Sequence, residues 1–458
     1  MRYTLAPRAA IAAAWVLSVM AMAACSSGGQ TADEEEPLTV WTPQTTPARI
    51  ADQKEVAKKF TQQSGIEVDI VPMAGENQDQ ALAAGAASGD VPDVMLHATD
   101  RTNSWHSQGL LETEPAQEVI DLLGADTFNK RALEAVTVEG EVAAVPSDGW
   151  THVIAYRTDL FDKAGVQVPT SLAELAEAAT TIEDELDITG LAFGTQAGTA
   201  SAAEAIESIF QTNGCELVAD GEITIDSPEC TEAAKHFLTL RDSSAKGDFD
   251  VESARATYMD GQAAMLLFST HVLDELAGLD EAVLPTCSEC ADDPGFLSVH
   301  TSFITVLDED NPAQFGTMLS YGIPAGANTE GAKQYIEYVL SDGYEETLGV
   351  ATEGRFPLRN GTESKPTRFV DAWGDLGIGP EREQTSRQLY GDEFVSSMAD
   401  GMNAVQRWGM GTSDSVLAGL VFSQSTLPDS LDSLYAGTDP AKVTARMAKA
   451  VEEVEAGL

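Results

Sequence analysis

Residues 37–73 read "PLTVWTPQTTPARIADQKEVAKKFTQQSGIEVDIVPM". The first five residues alternate as a strand does, and "IEVDIVPM" alternates again after Gly65. Between them Ile50, Val56, Ala57 and Phe60 recur at helical spacing, and Gly65 supplies the stop. Strand, helix and strand in succession define one unit of an α/β fold. The order repeats. A helical "QALAAGAASG" (80–89) precedes the strand-like "DVMLHA" (93–98), and "VAAVP" (142–146) and "HVIAYR" (152–157) follow. Helical patterns at 171–186, 201–214 and 231–242 lead to one more strand, "AAMLLFS" (263–269), and helices dominate from residue 330 onward. This alternation predicts open sheets flanked by helices. A chain of 458 residues also exceeds what a single core usually holds, so more than one lobe is expected.

The amino terminus predicts export. Two arginines in "MRYTLAPR" are followed by an uncharged run from Ala9 to Ala24. That run is shorter than the roughly 20 residues a membrane-spanning helix needs, and it suits a signal peptide over residues 1–24. "MAAC" places small residues directly before Cys25 and resembles a bacterial lipobox, with Cys25 as the lipid anchor. Residues 25–36, small and acidic, read as a flexible tether. The protein is therefore expected on the outer face of the bacterial cytoplasmic membrane, held there through its N-terminal lipid. A formal net charge of −48 repels phosphate backbones and argues against a nucleic-acid partner.

Export also favours disulfides. Cys215 and Cys230 flank two short strand patterns about an "ADG" turn, and Cys287 and Cys290 form "CSEC" between prolines. Two local bridges are the expectation, although four cysteines formally allow three connectivities. A zinc site would need a spacing other than two widely separated pairs. No G-x-x-x-x-G-K-S/T, H-E-x-x-H or G-x-S-x-G occurs, so no cofactor, metal or catalytic motif is expected. With 74 Asp and Glu residues, some acidic pair will lie at glycosidase separation by chance, so such pairs carry no argument for an enzyme.

"GDVPDV", "ATDR" and "SQGLLE" (89–112) resemble, in order and spacing, the extracellular solute-binding proteins of carbohydrate ABC importers, the maltose/maltodextrin-binding branch. The similarity continues through "LTVW", "SGIEV", "VPSDGWTHVIAYRTDLFDKAGVQVPTSLAEL", "GEITIDSPECTEAAKHFL", "MDGQAAMLLFST", "AGANTEGAKQYIEYVLSDG" and "EGRFPLRNG", covering most of residues 37–360. The resemblance implies a two-lobe periplasmic-binding-protein fold of type II with the ligand in the cleft. Lobe one is expected over 37–147 plus about 262–322, and lobe two over about 148–261 plus 323–458. It implies a monomeric receptor that is not an enzyme, captures a saccharide and delivers it to the permease subunits of an importer. The alternatives are another small polar solute, such as a polyol or a phosphodiester, or a secreted glycoside hydrolase.

Sugars are gripped by planar charged groups that take two hydroxyls at once and by aromatic faces. Asp100 and Arg101 match the family's acid–base pair, against a plain reading as a solvated loop. Trp41 matches a cleft tryptophan, or is simply core. Trp150 and its neighbour Asp148 lie at a crossover, and Arg355, Trp373 and Trp408 are further candidates to reach the cleft. His97 and His271 stand where the maltodextrin pattern has tryptophans. If they bond ligand hydroxyls, affinity is expected to change about one unit either side of the ordinary imidazole pKa of about 6.5.

Overall fold

The computed structural model describes residues 36–243, 247–307 and 311–458. The expected signal peptide, Cys25 and nearly all of the tether lie outside the described residues. Residues 37–458 form one compact unit. Among the described residues no helix is long and apolar enough to cross a membrane.

Nine strands make the main sheet: β1 (Leu38–Thr42), β2 (Val68–Pro72), β3 (Val94–Ala98), β4 (Val145–Arg157), β5 (Thr189–Ala192), β6 (Ala263–Ser269), β7 (Thr301–Ile304), β8 (Gly316–Gly322) and β9 (Phe356–Pro357). The order is β2-β1-β3-β8-β4-β6-β5, with β7 and β9 also paired to β4. The opening strand–helix–strand reading holds here. β1 and β2 run parallel, Leu38 opposite Val68. The helix Pro47–Ser64 joins them, starting on a proline and stopping at Gly65, whose φ of +79° a side chain would disfavour. That helix buries Val56, Ala57 and Phe60, and Phe60 meets Tyr335 and Tyr338 edge-on and tilted at 5.4 and 5.5 Å.

β4 organises everything else. Its first half pairs antiparallel with β8, from Val145 opposite Tyr321 to Thr151 opposite Gly316. Its second half pairs with β6 and β7, Tyr156 lying opposite both Met265 and Ser302. One thirteen-residue strand is thus shared by two sheet regions, and a core lies on each. The first holds Leu38, Val40, Phe60, Ile70, Leu96, Val145, Tyr321, Ile336 and Leu348. The second holds Ile154, Phe193, Ile206, Phe237, Met265, Trp408, Val443 and Met447. A third, around Val153, Phe356, Trp373 and Met398, fills the space along β4.

The packing distributes the expected lobe segments differently after residue 261. Residues 262–322 do not pack as one piece. β6 and β7 bond to the second half of β4, so Met265, Leu267 and Ile304 enter the second core. β8 bonds to β3 and to the first half of β4, which carries Tyr321 into the first core. The helix Thr329–Val339 was expected with lobe two, yet Tyr335, Ile336 and Val339 pack in the first core, Tyr335 against Phe60.

Both disulfides form, Cys215–Cys230 and Cys287–Cys290. They occupy all four sulfurs and leave no thiolate for zinc. The first closes a 15-residue separation, a constraint on the unfolded chain of roughly 3 kcal/mol.

In the first half of β4 Asp148 joins a buried ion pair with Arg355. Arg355 Nε donates to Asp148 Oδ1 at 2.8 Å and Nη2 donates to Oδ2 at 2.7 Å. Nη1 donates to the Thr347 carbonyl at 3.0 Å. The side chains are 0% and 2% exposed for Asp148 and Arg355. Burial works against the guanidinium charge, but the Asp148 carboxylate outweighs it and holds the Arg355 pKa above its ordinary value. Asp148→Asn leaves that cation buried and uncompensated, and should cost about 3–5 kcal/mol of stability, read by urea unfolding. The double change Asp148→Leu with Arg355→Met should recover most of the loss. A single variant as stable as the parent contradicts this role.

Candidate functional site

In open α/β sheets ligands collect beyond the carboxyl ends of the strands. Trp41 lies at the end of β1, Asp100 just past β3, Gly194 and Ser201 past β5, and Ser269 and His271 at the end of β6. These positions are drawn from both sides of β4. Gly194, Ser201 and Ser269 line one cavity with Trp150 and His152 of β4, and His271 stands against Trp150.

Around Trp150 the side chains form an aromatic cluster. Its ring centroid is 5.9 Å from His152, 5.8 Å from His271 and 5.9 Å from Phe315. Phe315 stacks on Phe422 at 5.8 Å with 21° between planes, and Arg407 lies over both rings at 4.3 and 4.6 Å. Arg407 Nε donates to Glu207 at 2.8 Å. Burial opposes its charge, but Glu207, and then Asp100 and Glu204, raise its pKa. Asp100 comes from the β3 side and Glu207 and Glu204 from the helix Ala200–Thr212 of the second core, so Arg407 feels both walls. The helix Ser415–Ser423, whose Leu417 and Val421 belong to the second core, packs against Thr99–Ser107. Asn103 adds a side-chain bond to the Thr412 carbonyl.

The candidates singled out in the sequence separate into two groups. Trp41 is half-buried, packed on Met95 and Trp105. Trp150 is half-buried in the aromatic cluster, and His271 stands edge-on to it at 73°. Gly354 is forced by this histidine, since a Cβ there would lie 2.2 Å from Nε2. Asp100 is exposed and makes no ion pair among the described residues. Arg101 turns away from it and donates to Asp79, which also accepts from Trp105 Nε1 at 2.8 Å. The adjacent acid and base therefore do not act as one unit in this structure.

Five other candidates lie inside the fold. Asp148 and Arg355 neutralise each other and present no free polar atom to a ligand, because a strand interior and a following loop have closed over them. His97 is fully buried within β3, its ring edge-on to Trp105 at 4.7 Å. Trp373 and Trp408 are core, donating to the Thr352 carbonyl at 2.8 Å and the Cys215 carbonyl at 3.0 Å. The expected histidine pH response also changes. Burial, with Arg101 second, pushes His97 down to about 3, and burial, with Arg49 second, pushes His271 down to about 4. Both stay neutral from pH 5.5 upward, so neither titrates near 6.5. Residues that the sequence reading missed are His152, Glu204, Phe315, Arg407 and Phe422. Only the apolar–charged mixture "NAVQRWGM" (403–410) near the chain end hinted at one of them.

Residues 43–346 match the model of the bacterial extracellular solute-binding protein family. The chain belongs to that family. It is 23% identical over 346 residues to the ABC transporter periplasmic-binding protein YcjN of Escherichia coli K12, covering 74% of this chain and 75% of that one. It superposes on the GacH receptor of Streptomyces glaucescens, solved unliganded and with acarbose, with TM-score 0.64 and 19% identity over 91% of this chain and 98% of the other. The cyclic α-maltosyl-1,6-maltose binding protein of Arthrobacter globiformis gives TM-score 0.66 and 16% identity over 92% and 99%. The fold is thus the two-lobe α/β architecture of periplasmic-binding proteins.

Beside the cleft, burial and then Glu353 push Asp274 up to about 7, and burial also lifts Glu275 to about 7 against the pull of Arg255. An unfolded Asp titrates near 3.9. Between those values the folded state holds protons that the unfolded state releases, so this contribution to stability is present at low pH and is lost as pH rises to about 7. Asp274→Asn should remove the slope. Its melting temperature relative to the parent should rise from pH 5 to pH 8 by on the order of 2 °C or more. A constant difference across that range, measured calorimetrically, contradicts it.

Proposed function

We propose that this chain is an exported receptor, lipid-anchored through Cys25, that captures a saccharide in the cleft along β4 and hands it to the permease of an ABC importer. The observation that carries the reading is the convergence of strand ends from two separately packed cores on one aromatic cluster, Trp150 with Phe315 and His271. An aromatic face backed by open carboxylates suits the C–H faces and hydroxyls of a sugar ring. Asp100, exposed and without a cation partner, is the acceptor we assign to the first wall. Trp41 flanks it, and Arg101 contributes by holding Asp79. Membership in the family and the saccharides named for the GacH receptor and the Arthrobacter protein support the same ligand class.

We place the lobes by their cores: residues 37–147 with about 316–348 on one side, about 152–307 with about 406–458 on the other. Closure is a hinge motion about the junction in β4, and the closed form is what the permease engages. The paired Asp148 and Arg355 pin β4 to the β8 and β9 side of that junction and are not part of the ligand set we assign.

Titration calorimetry against glucose, maltose, maltotriose, lactose and D-mannitol tests the reading. At least one sugar should bind stoichiometrically and be recovered unchanged, and Asp100→Ala should weaken it by roughly tenfold or more. Failure of every sugar to bind removes the saccharide assignment, and release of hydrolysed product replaces it with an enzyme. Cys25→Ser should move the protein from the membrane fraction to the medium, or block its processing, while leaving sugar affinity unchanged. Membrane retention of this variant after a high-salt wash contradicts the anchor.

A further inference from the structure

A cavity of about 230 Å³ opens beside Trp150 on the second wall, lined among others by His152, Gly194, Ser201, Glu204 and Ser269. It lies past the carboxyl ends of β5 and β6, where a ligand is expected in such a sheet. Its volume falls below the roughly 300–1,000 Å³ of sites for drug-sized ligands, which suits a single ring better than a chain. Glu204 is the carboxylate in this lining, its side chain 27% exposed. One of its oxygens lies 3.3 Å from His152 Nε2.

His152 is itself tightly fixed. Its backbone N–H donates to the Phe315 carbonyl at 2.7 Å, and its ring packs on Phe315 at 5.0 Å and on Trp150 at 5.9 Å. It is 5% exposed, and its Nδ1 has no partner in the structure. Nε2 is the ring nitrogen turned toward the Glu204 carboxylate, and a proton there faces it. That contact takes up at most one of about four acceptor positions on the carboxylate. The others face the cavity. Arg407, the nearest guanidinium, is engaged by Glu207 and supplies Glu204 with a field rather than a bond.

We propose that Glu204 is the principal hydroxyl acceptor on the second wall of the cleft, and that His152 is a positioning residue that holds its carboxylate toward a sugar ring resting on Trp150. This rests on the saccharide reading and deepens it. The ligand must present hydroxyl donors at that ring, and two adjacent hydroxyls can share the carboxylate.

The test uses the tightest binder among glucose, maltose, maltotriose, lactose and D-mannitol as the probe, with the full mature chain. Glu204→Gln should raise Kd by roughly tenfold or more, as loss of a charge-assisted acceptor does, with a melting temperature within about 2 °C of the parent. His152→Gln, whose amide can still donate to Glu204, should stay within about threefold, whereas His152→Leu should lose as much as Glu204→Gln. Among monodeoxy analogues of the probe, one position should weaken binding to the parent but not to Glu204→Gln. Parent binding with Glu204→Gln within about twofold overturns the inference alone, as does an equal loss in His152→Gln and His152→Leu. No binding of any of the five compounds by the parent overturns the saccharide reading and this inference with it.

Discussion

The ion pair between Asp148 and Arg355 is the constraint on which the rest of the structure depends. Both charges have left water almost completely, and only a bidentate geometry with a further bond to the Thr347 carbonyl makes that tolerable. Asp148 lies in the first half of β4, opposite Leu319 of β8 and Pro357 of β9, ahead of the change of neighbours between Thr151 and His152. The pair ties that strand to the segment after Thr352, which returns to β4 as β9. The half of β4 beside β8 and β9 is therefore pinned at Asp148.

This placement determines what the cleft can offer. The strand ends of the first core bring Trp41 and Asp100, those of the second bring Ser269, His271 and the Glu204 cavity, and β4 contributes Trp150 and His152 between them. Arg407 lies over Phe315 and Phe422 and senses carboxylates from both walls. Cations are few here and already committed: Arg101 to Asp79, Arg407 to Glu207, and Arg49 to Glu353 at 3.5 Å. Open carboxylates and aromatic faces remain, a combination suited to a neutral polyhydroxylated ligand and poorly suited to an anion.

Much of the architecture was legible in local pattern. The alternation in residues 37–73, the Gly65 stop and the two cysteine spacings involve interactions within a few dozen residues, and the structure contains each of them. What depended on long-range pairing was not legible. Arg101 pairs with Asp79 and not with its sequence neighbour Asp100, because the short helical turn after β3 sends consecutive side chains in different directions. Asp148 and Arg355 are 207 residues apart, and no periodicity reveals that two candidate ligand groups satisfy each other. His97 reads as a polar residue near a cleft, but its place in a buried strand makes it core. Which core each later strand enters follows from the half of β4 it joins, and apolar strands such as "AAMLLFS" carry no label for that choice. Glu204 looks like one more acid on an amphipathic helix until His152 is seen beside it.

The central claim is that β4 is the junction about which two cores close over a saccharide. Small-angle X-ray scattering on the mature chain, with and without a saturating sugar whose binding is confirmed calorimetrically, tests it most directly. The account predicts a smaller radius of gyration and a shorter maximum dimension when the sugar is bound. Identical scattering curves in the two states, with the sugar demonstrably bound, would contradict it.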